Sequence, residues 1–103
     1  MLCFLKTQYY NEAPTIFSHD ACNIEDILKE YTPNCNVMFP SNNNTGDLVA
    51  LTGESIFLVL YRKYNNCDVQ IAISIHNGNL AIRANGWWGR GWSSWSVFQT
   101  LIY

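Results

Sequence analysis

Hydrophobic and polar residues alternate most regularly in the segment VQIAISI at positions 69–75, where every second residue is Val or Ile. A period of two is that of a β-strand, whose successive side chains point to opposite faces. Asn77-Gly78 follows, and this pair is a strong hairpin signal because type I′ turns need positive φ at both central residues. Leu80 and Ile82 continue the alternation. The pattern predicts a hairpin of two half-buried strands, 69–75 and 80–84.

Three further segments have the length and composition of strands. Residues 56–62 form an almost continuous apolar run that is consistent with a central strand, and Asn65-Asn66 then turns the chain. Residues 96–102 are predicted to be a strand as well, and residues 2–10 an edge strand that is interrupted before Pro14. The second half of the chain is therefore predicted to be an antiparallel meander of about four strands.

One segment has the period of a helix. Apolar residues recur at i, i+3, i+4 and i+7 from Ile24 to Tyr31, with Asn23 as the N-cap and two acidic residues in the first turn. Pro33 ends this helix, and the polar residues 40–46 form a loop. The predicted fold class is α+β: an antiparallel sheet of four to six strands with one helix packed on a face, in a single domain of residues 1–103.

Composition and charge exclude several classes of function. Charged residues make up 14% of the 103 residues, against about 25% in typical soluble domains, and hydrophobic residues make up 49%. This composition argues against disorder and indicates that a partner covers part of the surface. The six basic residues are scattered, so we expect neither nucleic acid nor a membrane surface as a partner. The chain shows no pattern of a signal peptide, and a cytoplasmic location is expected.

Candidate catalytic and metal-binding residues are few. Cys3, Cys22, Cys35 and Cys67 have the spacing of neither a zinc ribbon nor a redox pair, so four free thiols are expected.

The two histidines, His19 and His76, are far apart in sequence. The group His19, Asp20 and Cys22 has the character of capping and loop residues rather than of an activated nucleophile. The glycines within residues 86–91 do not precede a helix, so there is no phosphate loop. We therefore expect no enzyme, no metal and no cofactor.

All four tryptophans of the chain lie within residues 87–95, with glycines and one arginine between them. Such a cluster usually marks a core or an interface. One or two of the indoles are expected to pack on the predicted helix. Trp87 and Trp88 are adjacent and would face opposite sides of a strand, and Arg90 could stack on an indole. The predicted partner-binding residues are Trp87, Trp88, Arg90, Trp92 and Trp95.

The stretch AISIHNGNLAIRANGWWGRGWSSWSVF, residues 72–98, resembles part of the α subunit of F-actin capping protein. In that family a β-hairpin of the form (I/C)-I-E-x-H-x-F leads into a strand written approximately F-W-N-G-R-W-R-S-E-W. Trp88 and Trp92 match the first two tryptophans at the same spacing, and Arg90 lies in the triplet between them. Trp95 matches the last tryptophan after a one-residue deletion. The resemblance covers about a quarter of the chain.

This resemblance implies a non-enzymatic subunit of the cytoplasmic actin cytoskeleton. It would pair with a capping-protein β-like subunit, sheet edge to sheet edge, and the heterodimer would bind the barbed ends of actin filaments. Family members are longer and grip actin through a basic C-terminal extension. The resemblance therefore supports pairing with the β-like subunit more strongly than direct binding to actin.

Two alternatives remain open. The first is a small protein-interaction module, viral or regulatory, that binds another protein through a Trp-rich face. The second rests on the segment WSSWS at residues 92–96, which is similar to the Trp-Ser-x-Trp-Ser box of cytokine-receptor fibronectin domains. In that box the tryptophans interleave with arginines of a neighbouring strand, for which only Arg83 and Arg90 are available. The predicted helix does not fit a β-sandwich, so this alternative ranks lower.

Overall fold

The described residues form a six-stranded sheet in which each strand lies beside the next one in sequence. The computed structural model describes residues 15–18, 20–86 and 91–99. Two short helices accompany the sheet in these residues, which confirms the α+β fold class, although one helix was predicted. Strand β1 runs parallel to β2, in contrast to the predicted antiparallel sheet, and all other neighbours are antiparallel. In chain order the elements are β1 (Thr15–Phe17), α1 (Ile24–Leu28), β2 (Cys35–Phe39), α2 (Asp47–Thr52), β3 (Phe57–Tyr64), β4 (Cys67–Ser74), β5 (Leu80–Asn85) and β6 (Ser96–Phe98).

The predicted hairpin is formed by β4 and β5, which pair from Asp68–Asn85 to Ile73–Leu80. The predicted two-residue type I′ turn is wrong, because residues 75–79 join the two strands. Gly78 has a φ of 77° and is the one residue of this loop with positive φ. Its N–H donates to the carbonyl oxygen of Ser74 at 2.8 Å, which closes a wider loop than the Asn-Gly pair alone would make.

Helix α1 is shorter than predicted. The side chain of Asn23 accepts a hydrogen bond from the N–H of Asp26 at 3.1 Å, which confirms the N-cap. The helix ends at Leu28, well before Pro33, because the chain must turn to enter β2. Asn34 makes that turn with a φ of 74°, and its N–H donates to the carbonyl oxygen of Tyr61 on β3.

Three short elements were not predicted from the sequence: β1, β2 and α2. Each has at most six residues, which is too few for a clear hydrophobic period. The predicted strand at 96–102 is observed over Ser96–Phe98, Gln99 is no longer part of it, and positions 100–102 lie outside the described residues. The predicted edge strand at residues 2–10 also lies outside them.

The alternation along the strands divides the sheet into two faces. On the covered face lie the strand residues that are buried, and the apolar ones join the side chains of α1 and α2 in one core cluster. The buried members of this cluster are Ile24, Leu28, Val37, Phe39, Leu48, Phe57, Val59, Ala72, Ala81 and Trp95.

Strand β4 is half-buried as predicted, but its more polar side is the buried one. Gln70, Ala72 and Ser74 lie on the covered face, whereas Val69, Ile71 and Ile73 remain partly exposed. Small residues such as Ala72 leave room for the helices to approach the sheet closely. The long Gln70 side chain is accommodated because it has a buried hydrogen-bond partner.

Candidate functional site

Arg83 on β5 lies between two tryptophans. Its guanidinium carbon is 4.7 Å from the centre of the Trp92 ring and 4.7 Å from the centre of the Trp95 ring. The ring of Tyr61 meets Trp92 edge-on, with 5.8 Å between the ring centres. Stacking a cation between two indoles is favourable at each ring, more so away from water. We call these three residues, Trp92, Arg83 and Trp95, the ladder.

The ladder forms because the chain after Gly91 runs back along β5. Gly91 has a φ of 89°, and the N–H of Ser93 donates to the carbonyl oxygen of Ala84 at 2.8 Å. The N–H of Ala84 donates in return to the Ser93 hydroxyl oxygen at 3.1 Å. These contacts hold the segment beside β5, with one tryptophan on either side of Arg83.

Neighbouring groups compensate the buried charge of Arg83. The residue is only 9% exposed, and its Nε donates to the side-chain oxygen of Gln70 at 2.7 Å. Burial lowers the pKa of the Arg83 guanidinium, and the carboxylates of Glu25 and Asp47 oppose that shift. The charge is therefore balanced by two ring faces, one amide oxygen and two acidic side chains nearby.

Glu25 connects the ladder to both helices. One of its carboxylate oxygens accepts from the Nε1 of Trp95 at 2.9 Å and from the N–H of Leu48 at 3.0 Å, and the other accepts from the N–H of Asp47 at 2.9 Å. The carboxylate thus caps α2 from a distance, where the N-cap residue Gly46 has no side chain to do so. A β-carbon on Gly46 would collide with this carboxylate. The sequence carries no local signal of this role, because its partners lie far along the chain.

The structure places the predicted partner-binding residues in two groups. Trp92 and Trp95 turn towards Arg83, and Trp95 packs in the core cluster with α1, in agreement with the expectation that one or two indoles pack on the helix. Trp87, Trp88 and Arg90 lie outside the described residues.

The ladder reproduces the interleaving expected for a Trp-Ser-x-Trp-Ser box, with Arg83 as its arginine. Its surroundings differ from those of a cytokine-receptor domain, because a single sheet with helices on one face is not a β-sandwich. In the ladder, the Arg83 guanidinium covers one ring face of Trp92 and one of Trp95.

Clefts among the described residues include two that lie near these elements. One of about 320 Å³ lies beside the ladder and is lined by Asp47, Ser93 and Ser94 among others. Another of about 440 Å³ is lined by Glu54 and His76, whose Nδ1 is 3.2 Å from a Glu54 carboxylate oxygen.

The sequence candidates for chemistry are not brought together. His19 lies outside the described residues, and the hydrogen-bond partners of the Cys22 thiol are Ser18 and Asn44 rather than a histidine. In the described ranges Cys22, Cys35 and Cys67 are free, and no three His, Cys, Asp or Glu side chains are grouped as metal ligands.

The Cys35 thiol is partly buried. Desolvation by that burial raises the pKa of this thiol, and the nearby Arg62 guanidinium opposes the shift. Within the parts of the chain that the structure describes, neither helix is long and apolar enough to span a membrane.

The second face of the sheet is apolar and only partly buried. We call it the open face, because none of its large apolar side chains is fully buried. Phe98 on β6 is 53% exposed. Cross-strand pairing sets these side chains in rows that run from β1 to β6. The large apolar side chains of the open face include Phe17, Met38, Leu58, Leu60, Val69, Ile71, Ile73, Leu80, Ile82 and Phe98.

Charge is almost absent from the open face. Among the described strand residues on this side, the charged one is Arg62, near the end of β3. Its guanidinium donates to the Cys35 carbonyl oxygen and to the Asn36 side-chain oxygen, both at 2.8 Å. The arginine is therefore anchored at the margin, and the other described strand residues of this face are uncharged.

The chain was compared with family models, with curated proteins and with solved structures, and it matches none of them.

Proposed function

We propose that this protein is a small, non-enzymatic protein-interaction module that binds through the open face of its sheet. The observation that carries the proposal is the contrast in burial between the two faces. Helices cover one face, whereas the apolar side chains of the other remain partly exposed. Soluble proteins rarely expose contiguous apolar patches larger than a few hundred Å² unless the patch binds something.

The chemistry of the open face favours a protein as its ligand. Aliphatic side chains in flat rows offer area and shape, but few hydrogen-bond donors or acceptors to orient a small polar molecule. The tryptophans of the ladder, by contrast, are committed to Arg83 and to the core. The binding surface proposed is thus the aliphatic side of the hairpin rather than Trp92 and Trp95.

A photo-cross-linking amino acid tests this proposal in the native cell. Placed at position 71, in the middle of the open face, it is expected to give a covalent adduct with a second polypeptide chain. The matched control carries the same group at Leu51, which is 56% exposed on α2, on the other side of the sheet. Adducts at position 51 but none at position 71 would contradict the proposal.

A second candidate follows from the resemblance to capping protein: an α-like subunit that pairs with a β-like subunit and binds actin barbed ends in the cytoplasm. The position of β6 favours it. The matching segment ends in this strand, which lies at the edge of the described sheet with Val97 and Phe98 exposed. Edge-on pairing of two sheets needs an edge strand of this kind.

Co-expression with a capping-protein β subunit separates the two candidates. The capping proposal expects a one-to-one heterodimer that slows elongation of actin filaments from their barbed ends. Replacing Val97 with Pro should abolish the heterodimer, because proline removes a backbone donor from an edge strand. A protein that ignores the β subunit, and leaves filament elongation unchanged, would rule out this candidate and leave the first one standing.

A further inference from the structure

We infer that the partner of the open face is a second copy of the same chain, so that two sheets pack face to face around a two-fold axis. The inference rests on the proposed function, since it names the occupant of the same surface. Three properties of the open face support it: its lack of charge, its area and the arrangement of its rows.

A surface that meets its own copy must not bring like charges together. The centre of the open face consists of Leu60, Ile71 and Ile82, which form one cross-strand row and carry no charge. Arg62 lies at the margin, where three protein oxygens already accept from its guanidinium. Two copies can therefore approach without burying an unpaired charge, which would be strongly unfavourable.

The area of the face fits a weak dimer. Six strands about 4.8 Å apart, each with about five residues at about 3.3 Å per residue, present a face of roughly 500 Å². Two such faces bury roughly 1,000 Å² together, which is the least area expected of a biological interface and below that of most stable complexes, so the dimer should be weak and form at high protein concentration.

The rows also fit the geometry of packed sheets. Stacked sheets lie about 10 Å apart and interdigitate the side chains of their inner faces, with strand directions within about 30° of each other. The helices lie on the covered face of each copy, so they would form the outer layers of the dimer. The assembly would have four layers, helix, sheet, sheet and helix, and each open face would become a core.

Sedimentation equilibrium over a wide range of protein concentration is the first test. The wild-type chain is expected to reach twice its mass of 11.8 kDa at high concentration. Ile71→Lys should weaken dimerisation at least about 100-fold, because it places two like charges in an apolar interface. Leu51→Lys, on the opposite side of the molecule, should dimerise like wild type. Circular dichroism confirms that each variant is folded.

Nuclear magnetic resonance tests the same interface on the wild-type sequence and does not depend on the folding of Ile71→Lys. In a mixture of isotope-labelled and unlabelled chains, nuclear Overhauser effects between chains should connect the methyl groups of Leu60, Ile71 and Ile82. A dimer whose contacts between chains involve the helices instead would overturn the inference.

The outcomes distinguish this inference from the proposed function. A wild-type chain that remains at 11.8 kDa at every concentration overturns the homodimer. If the cross-linker at position 71 then captures a different protein, the interaction module survives with another partner. A monomer that gives no adduct at position 71 refutes both.

Discussion

The covered and open faces belong to the same strands, yet they differ in which kinds of side chain are buried. The covered face contains Gln70, Ser74 and Arg83, all buried, together with small and large apolar residues. The open face is more uniformly hydrophobic and is nevertheless the one left partly exposed. In β4 and β5, hydropathy alone would have assigned the two faces the other way round.

The difference shows that specific side-chain contacts within the chain, rather than hydropathy, decide which side of this sheet is buried. Arg83 is tolerated inside because two indoles, Gln70 and nearby acidic groups compensate its charge. The ladder and the helices pack on one face, so the aliphatic side chains of the other face remain partly exposed. A hydrophobic surface that remains exposed after folding is available for association.

The largest expected effect comes from removing a ladder tryptophan. Trp95→Ala should lower the free energy of unfolding by about 3–5 kcal/mol, because it opens a cavity in the core and exposes one side of Arg83. That is a large part of the total stability of a domain this small. Phe98→Ala on the open face, by contrast, should cost less than about 1 kcal/mol under conditions where the chain is monomeric. Denaturant titrations of both variants measure the contrast, and equal losses would contradict it.

Replacing the buried arginine tests the pairing that makes its burial possible. Arg83→Met keeps the length of the side chain but leaves the Gln70 oxygen without a donor, so it should cost about 1–3 kcal/mol. Adding Gln70→Leu to this variant should recover part of the loss, because both polar partners are then gone. A double-mutant cycle by urea unfolding gives the coupling energy. Strictly additive losses would mean that the two residues do not depend on each other.

Equivalent valines on the two faces provide a matched pair. Val59→Thr puts a hydroxyl into the covered face, where Val59 is fully buried, and should cost about 1–3 kcal/mol. Val69→Thr makes the same change on the open face and should alter stability by no more than about 0.5 kcal/mol in the monomer. Thermal melts at low protein concentration compare them. Similar losses at both positions would show that the open face is already covered.

The smallest expected effect has the opposite sign. The Ser74 hydroxyl is buried on the covered face and has no hydrogen-bond partner among the described residues. Ser74→Ala should therefore leave stability unchanged or raise it by up to about 1 kcal/mol. Its control is Ser93→Ala, which removes the acceptor for the Ala84 N–H and should cost about 0.5–1.5 kcal/mol. A loss at Ser74 as large as at Ser93 would show that the Ser74 hydroxyl has a partner after all.

Local patterns were sufficient for the longer elements. A period of two identified β4 and β5, a continuous apolar run identified β3, and Asn23 with its helical period identified the start of α1. The hairpin between β4 and β5 followed from its turn signal, although the loop is longer than a type I′ turn. Strand β2 and helix α2 were not predicted, because five or six residues are too few to show a hydrophobic period.

The sequence by itself thus determined the period of each long element and the order in which the strands of the hairpin meet, because both depend on neighbouring residues. Only the tertiary structure decided which face is buried. That choice depends on Arg83 meeting Trp92, Trp95 and Gln70, and on Glu25 reaching Trp95 across 70 positions of the chain. Such contacts carry no local pattern, since their partners become neighbours only after the sheet has formed.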